Sequence, residues 1–94
     1  MKLEDFVVGI GFRYRAEQLR QDWWFVTFIL RGRGVSFEYF SPNKPPRMLE
    51  VLEHELKMGY VDFAGCAEYP FIYFLYQVLT EEEMEKFWNI NSEV

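Results

Sequence analysis

The sequence predicts a single α+β domain over residues 1–94, in which a three-stranded antiparallel sheet from residues 1–40 packs against two to three short helices from residues 46–90. The main observation is that the hydrophobic spacing changes from two residues to 3.6 residues after the breaker cluster Ser41–Pro46. In addition, half of the residues are hydrophobic and one in five is aromatic, which is enough for a packed core.

The first strand is predicted over Phe6–Arg15, because apolar side chains alternate there with glycine and arginine. The even positions Phe6, Val8, Ile10, Phe12 and Tyr14 would form its buried face. Residues 16–21 are polar and are predicted to link this strand to the next one.

Residues 23–40 predict a hairpin. Trp23–Leu30 is a nearly continuous run of aromatic and β-branched residues, which suits a central strand covered on both faces. Arg31-Gly32-Arg33-Gly34 supplies the turn, and Val35–Phe40 alternates again as the third strand. Adjacent Trp23 and Trp24 must point to opposite faces of the sheet. The strand order is otherwise open.

The second half predicts helices. One begins near Pro46 and ends at Gly59, whose freedom to adopt positive φ suits a helix cap. Residues 62–79 fit either helix or a second hairpin, and helix is favoured, with Pro70 in its first turn. Thr80-Glu81-Glu82-Glu83 matches a capping box, which predicts a last helix that frays after Asn89.

Compartment and cofactors follow from what the residues lack. Cys66 is the one cysteine, so no internal disulfide can form, and the first residues do not have the layout of a signal peptide, which predicts the cytoplasm. The longest apolar run, residues 71–76, is too short to cross a bilayer. We expect no membrane helix, no metal and no cofactor.

Familiar catalytic patterns fail one by one, which predicts that the protein is not an enzyme. His54-Glu55 begins like a zinc-protease helix, but Met58 stands where the second histidine would be. A Cys66–His54 pair is disfavoured because Cys66 lies between Gly65 and Ala67, which is typical of an inert thiol. The protein is therefore expected to act by binding.

Charge divides the chain into two halves. Residues 1–47 hold eight basic and five acidic side chains, whereas residues 48–94 hold two basic and ten acidic ones, within a net charge of −5. Such asymmetry bears on partners rather than on fold. The acidic half predicts a protein partner with a basic surface, contacted by Glu50, Glu53, Glu81, Glu82, Glu83 and Glu85.

Two alternatives remain open. A basic strand and hairpin face could bind nucleic acid through Arg13, Arg15, Arg31 and Arg33, although the stacking positions of an RNA-recognition signature laid over residues 31–38 lack rings, and the acidic half would repel phosphate. Alternatively, exposed rings could pair with those of a second copy, which would give a homodimer.

The hairpin of residues 23–40, the Pro45-Pro46 break and the short acidic helices in fewer than 100 residues together resemble small proteins encoded by phages and mobile elements, among them anti-CRISPR and other anti-defence inhibitors. The resemblance is one of size and acidity rather than of a motif, so it transfers no functional residue. It implies an inhibitor in the host cytoplasm that binds a CRISPR-Cas or other bacterial defence complex stoichiometrically, without catalysis.

Overall fold

The computed structural model describes residues 2–63 and 70–92 and confirms the predicted α+β class. The chain runs through helix α1 (Leu3–Ile10), strands β1 (Arg13–Arg20), β2 (Trp23–Leu30) and β3 (Arg33–Phe40), and helices α2 (Met48–Phe63), α3 (Pro70–Val78) and α4 (Glu81–Ser92). The strands form one antiparallel sheet in the order β1-β2-β3, so the central position of β2 is confirmed.

The predicted first strand, Phe6–Arg15, is wrong over most of its length. Residues 3–10 are helical because Leu3, Phe6, Val7 and Ile10 follow the i, i+3, i+4, i+7 spacing of a helix face, and Phe6 and Val7 are buried. Gly11 ends α1 with a φ of 83°, a conformation that glycine adopts without strain. The sheet therefore begins at Arg13, and the assignment of residues 1–40 to the sheet alone is also wrong.

Strand β1 covers the segment that was predicted as a polar link. It pairs with β2 along its length, with an irregularity between Gln18 and Arg20. Only its Tyr14 and Ala16 lie against the core, and its other side chains are exposed. A charged sequence of this kind suits an edge strand, where charge discourages pairing with another chain.

Two positive-φ residues form the turn between β2 and β3. Arg31 has a φ of 54° and Gly32 a φ of 79°, so the two-residue turn has the twist that antiparallel strands require. The predicted hairpin is confirmed, although only Arg31 and Gly32 form its turn and Arg33 already pairs with Leu30.

The core lies between one face of the sheet and the helices. Phe28 is fully buried at its centre, 5.1 Å from Phe71 of α3 and 5.1 Å from Tyr14 of β1 between ring centroids. Helix α1 packs on α4, where the Phe6 and Phe87 rings are 6.0 Å apart. Trp24 packs against this core and Trp23 lies on the other face of the sheet, as predicted.

The helical reading of residues 70–78 is confirmed, since Phe71, Phe74, Leu75 and Val78 are buried along one side of α3. The predicted helix end at Gly59 is wrong, because α2 continues through Gly59 and Asp62 to Phe63. Residues 64–69 of the ambiguous segment lie outside the described residues. None of the described helices is long and apolar enough to cross a membrane.

Candidate functional site

Arg31 and Glu83, which sequence reasoning assigned to opposing binding surfaces, contact each other. The terminal guanidinium nitrogens of Arg31, Nη1 and Nη2, donate to Oε1 and Oε2 of Glu83 at 2.7 and 2.6 Å. Arg31 Nη1 also donates to the Val78 carbonyl oxygen at 2.6 Å. The bidentate pair joins the β2–β3 turn to the end of α3 and the start of α4, so both residues have a structural role.

Glu83 also completes the predicted capping box. The backbone N–H of Thr80 donates to Glu83 Oε1 at 2.9 Å, and the backbone N–H of Glu83 donates to Thr80 Oγ1 at 3.2 Å. The hydrogen bond from Arg31, helped by those from Thr80, lowers the pKa of Glu83 to about 2 against the opposing effect of burial. Both carboxylate oxygens of Glu83 therefore accept hydrogen bonds from other residues of the chain.

A groove between α3 and α4 combines an apolar floor with an acidic rim. It has a volume of about 550 Å³ and is lined by Tyr76, Leu79, Glu81, Met84, Glu85, Trp88 and Asn89. Glu81 and Glu85 lie one helical turn apart, so both carboxylates project on the same side of α4. The Tyr76 side chain is 46% exposed at the groove.

The predicted acidic surface therefore splits. Glu81 and Glu85 line the groove and Glu82 is exposed beside them, whereas Glu50 and Glu53 lie on α2, which packs on α3. Glu50 is 3.8 Å from Lys44 Nζ in an exposed ion pair. We refer below to the residues lining the α3–α4 groove as the acidic groove and treat the α2 acids as a separate surface.

Two tyrosines near α2 have raised pKa values. Burial is the first cause that raises the pKa of Tyr14 to about 12, and burial also raises the pKa of Tyr39. Both phenols are therefore protonated at neutral pH and are poor bases. His54 lies edge-on to the Tyr39 ring at 5.6 Å. Cys66, the other half of the disfavoured nucleophile pair, lies outside the described residues.

Among the described residues, no group of three or more histidine, cysteine, aspartate and glutamate side chains is placed to hold a metal ion. The glutamates selected from the sequence lie instead as separate carboxylates on helix surfaces.

A second surface lies on the outer face of the sheet, where sequence reasoning had selected Arg13 and Arg15 but neither Phe25 nor Phe40. The face of the sheet that points away from the helices carries Trp23 and Phe25 from β2 and Phe40 from β3. Phe25 is 36% exposed and Phe40 is 52% exposed. The prediction that β2 is covered on both faces is therefore wrong for the described structure. Only every second side chain of its apolar run packs on the helices, and the side chains between them point to the outer face.

The arginines of the alternative nucleic-acid hypothesis are also separated by the fold. Arg13 and Arg15 lie on this outer face, opposite Ile29 and Thr27 of β2. Arg33 lies two residues before the inward-facing Val35 on β3, so it belongs to the other face of the sheet. Arg31 is paired with Glu83. Arg20, which sequence reasoning did not select, joins the outer face with its guanidinium carbon 5.2 Å from the Trp23 ring centroid. We call this surface, with Arg13, Arg15, Arg20, Trp23, Phe25 and Phe40, the open face.

The fold is that of a small α+β protein, and its two candidate surfaces are the acidic groove and the open face. Comparisons with protein-family models, curated proteins and solved structures gave no match in any of the three.

Proposed function

We propose that this protein is a non-enzymatic binding module whose acidic groove binds a basic surface of a protein partner. The observation that supports this function is the placement of Glu81 and Glu85 over an apolar floor that includes Met84 and Trp88. Aromatic and apolar anchors supply most of the binding energy at protein interfaces, and charges direct association.

The groove suits lysine and arginine side chains in particular. Such side chains are apolar along most of their length and charged at the tip, so they can lie on the floor while the tip meets a carboxylate. Tyr76 at the groove and Glu81 on its rim offer these two kinds of contact. Glu82, which is exposed beside the groove, extends the negative potential.

An inhibitor of a bacterial defence complex, such as a CRISPR-Cas effector, is the specific form of this function that the resemblance of the sequence suggests. Surfaces that bind nucleic acid are basic, since they neutralise phosphates. An acidic protein that occupies such a surface would exclude the nucleic acid without any chemical step.

We expect charge reversal in the groove to weaken partner binding. The tagged protein is used to capture its partner from nuclease-treated bacterial lysate, and affinity for the captured protein is then measured by biolayer interferometry. Glu81→Lys/Glu85→Lys should weaken binding by more than tenfold, because attraction becomes repulsion. Tyr76→Ala should also weaken binding through the lost anchor.

The matched control is Glu50→Lys/Glu53→Lys, which changes the net charge by the same amount on α2. It should leave affinity within about threefold, and Tyr73→Ala, which removes an exposed α3 ring outside the groove, should do the same. Equal losses from both charge-reversal pairs would assign the effect to net charge and would refute the groove. Competition by nucleic acid, at concentrations at which heparin of equal charge does not compete, distinguishes a nucleic-acid-binding target surface from other basic surfaces.

A further inference from the structure

The open face differs from the helical side of the molecule in charge. Its charged side chains are Arg13, Arg15 and Arg20 with Glu17 and Glu38, so it has a local excess of one positive charge in a chain of net charge −5. Arg15 Nε is 3.5 Å from Glu17 Oε1 in an exposed ion pair, which leaves Arg15 accessible to a stronger anion. The acids of α2 and α4 lie on the helices, behind the other face of the sheet. The sheet thus presents the basic side of a two-sided molecule.

The register of the strands places rings and arginines in adjacent rows. Arg20, Trp23 and Phe40 form one end row, and the Trp23 and Phe40 ring centroids are 5.4 Å apart. Phe25 follows Trp23 two residues along β2, a step of about 7 Å on the same face. At the opposite end, Arg15 and Arg13 lie on β1 across from Thr27 and Ile29 of β2.

Phe25 lies between Glu17 and Glu38 in the row next to the ring end, and the β3 side chains beyond that row are small. Thr27 of β2 lies opposite Ser36 of β3, and their hydroxyl oxygens are 2.9 Å apart. Glycine stands at position 34, next to Ile29. Beyond the row of Glu17, Phe25 and Glu38, the open face therefore carries only small side chains on β3.

We propose that the open face binds single-stranded nucleic acid. Bases stack on the rings of Phe40, Phe25 and Trp23, and phosphates contact Arg13, Arg15 and Arg20. Exposed rings on an antiparallel sheet are the means by which many proteins hold unpaired bases, and stacking tolerates any base. Arginine neutralises phosphate and also stacks on rings.

The chemistry favours this ligand over two others. A second copy packed on the face would enclose five charged side chains in the interface, whereas interface centres are depleted of charge. A duplex keeps its bases stacked inside, so it cannot use the rings. The site is distinct from the acidic groove, and its test does not depend on the proposed function.

The test is fluorescence anisotropy with a labelled mixed-sequence RNA or DNA strand of about 12 nucleotides, a length within the site sizes of single-strand binders. A duplex of the same sequence serves as the comparison. Binding should favour the single strand and should weaken with added salt, with a slope of about −2 in log K against log salt for three phosphate contacts. Duplex binding of equal strength overturns the proposal.

Variants locate the binding. Phe40→Ala should weaken it roughly 5- to 150-fold, the range that corresponds to one stacked base, and Arg13→Gln should weaken it and reduce the salt slope by about 0.7. The matched controls are Tyr73→Ala, since Tyr73 on α3 is 60% exposed, and Lys57→Gln on α2. Both controls should retain wild-type affinity.

The remaining outcomes each decide against the proposal. Absence of single-strand binding at low salt, or equal losses in the open-face variants and the controls, overturns it. Light scattering of the protein alone tests the second copy as the occupant, since a dimer that Phe40→Asp converts to monomer would assign the face to self-association. Circular dichroism confirms that each variant remains folded, and Arg13→Gln, at an exposed position, serves where a ring variant does not fold.

Discussion

Arg31 holds a left-handed backbone conformation while its side chain joins two parts of the molecule that are distant in sequence. Its φ of 54° places it in the β2–β3 turn, and its guanidinium contacts Val78 and Glu83. Asparagine or glycine is the usual residue at such a turn position, because other side chains adopt this conformation less readily. The ion pair and the hydrogen bond to Val78 favour arginine there.

The pKa of Glu83 gives a pH-dependent prediction at this residue. Its value is about 2 in the folded chain against 4.5 ordinarily, so between these values the unfolded chain binds more protons. The stabilisation from Glu83 is complete above pH 4.5 and is lost as pH falls towards 2. We expect Glu83→Gln to be less stable than wild type near pH 7 and to lose less stability on acidification, as measured by thermal unfolding across pH.

Arg31→Gln provides the second arm of this experiment. Removal of the guanidinium should return the pKa of Glu83 towards its ordinary value, so this variant should show a similarly flattened pH profile. The double variant should be less destabilised than the sum of the single variants, because both remove the same interaction. Parallel pH profiles for wild type and both single variants would show that the pair contributes nothing measurable.

At the scale of elements, α1 shows how one stretch of sequence fits two periodicities. Phe6, Ile10 and Phe12 lie at even positions, which predicts a strand, but Leu3, Phe6, Val7 and Ile10 also form one helical face. Glu4 and Asp5 in the first turn and Gly11 after the last turn are the local signals for the helix. Val8 is exposed, contrary to the strand prediction.

Two glycine variants test α1 directly. Gly9 lies in the helix with open space around its Cα, so Gly9→Ala should raise the free energy of unfolding by about 0.5–1 kcal/mol. Gly11 has a φ of 83°, so Gly11→Ala should lower it by about 1–2 kcal/mol. Urea denaturation measures both changes, and shifts of the same sign would contradict the helix and its cap.

Helix α4 is the element whose start the sequence specifies most completely. The reciprocal hydrogen bonds of Thr80 and Glu83 satisfy two N–H groups that a helix leaves without partners at its first turn. A side-chain cap of this kind contributes about 1 kcal/mol. It fixes where α4 begins, and therefore where Glu81 and Glu85 stand relative to α3.

At the scale of the whole molecule, the two faces of the sheet differ in burial and in their contribution to the core. The inner face carries Val26, Phe28 and Leu30 against the helices and is buried. The open face carries Phe25 and Phe40, which contribute less to the core. Rings on these two faces therefore differ in their effect on stability, although the sequence presents them as one aromatic-rich hairpin.

This difference is measurable with two phenylalanine variants. Phe28→Ala should lower the free energy of unfolding by about 3–5 kcal/mol, because it leaves a cavity among buried rings. Phe40→Ala should cost less than about 1.5 kcal/mol, the range for its contact with Trp23. Chemical denaturation gives both values, and a cost for Phe40→Ala that equals that of Phe28→Ala would show that the open face is covered.

Local sequence determined the features that depend on neighbouring residues. The hairpin around Gly32, the opposite orientation of Trp23 and Trp24, the position of Pro70 in the first turn of α3 and the capping box at Thr80 follow from backbone preference and spacing. The charge asymmetry is likewise a property of composition, and the α+β class follows from the change in period.

Tertiary structure alone decided which residues share a surface. Residues 3–10 fit both periodicities, and the face that they bury meets Phe87, far along the chain, through Phe6. The pairing of Arg31 with Glu83 removed one member from each predicted binding set, and the separation of α2 from the acidic groove divided the glutamates. The spacing of hydrophobic residues predicts which side of its own helix or strand a side chain lies on. It does not predict which residues of other elements that side chain contacts in the folded protein.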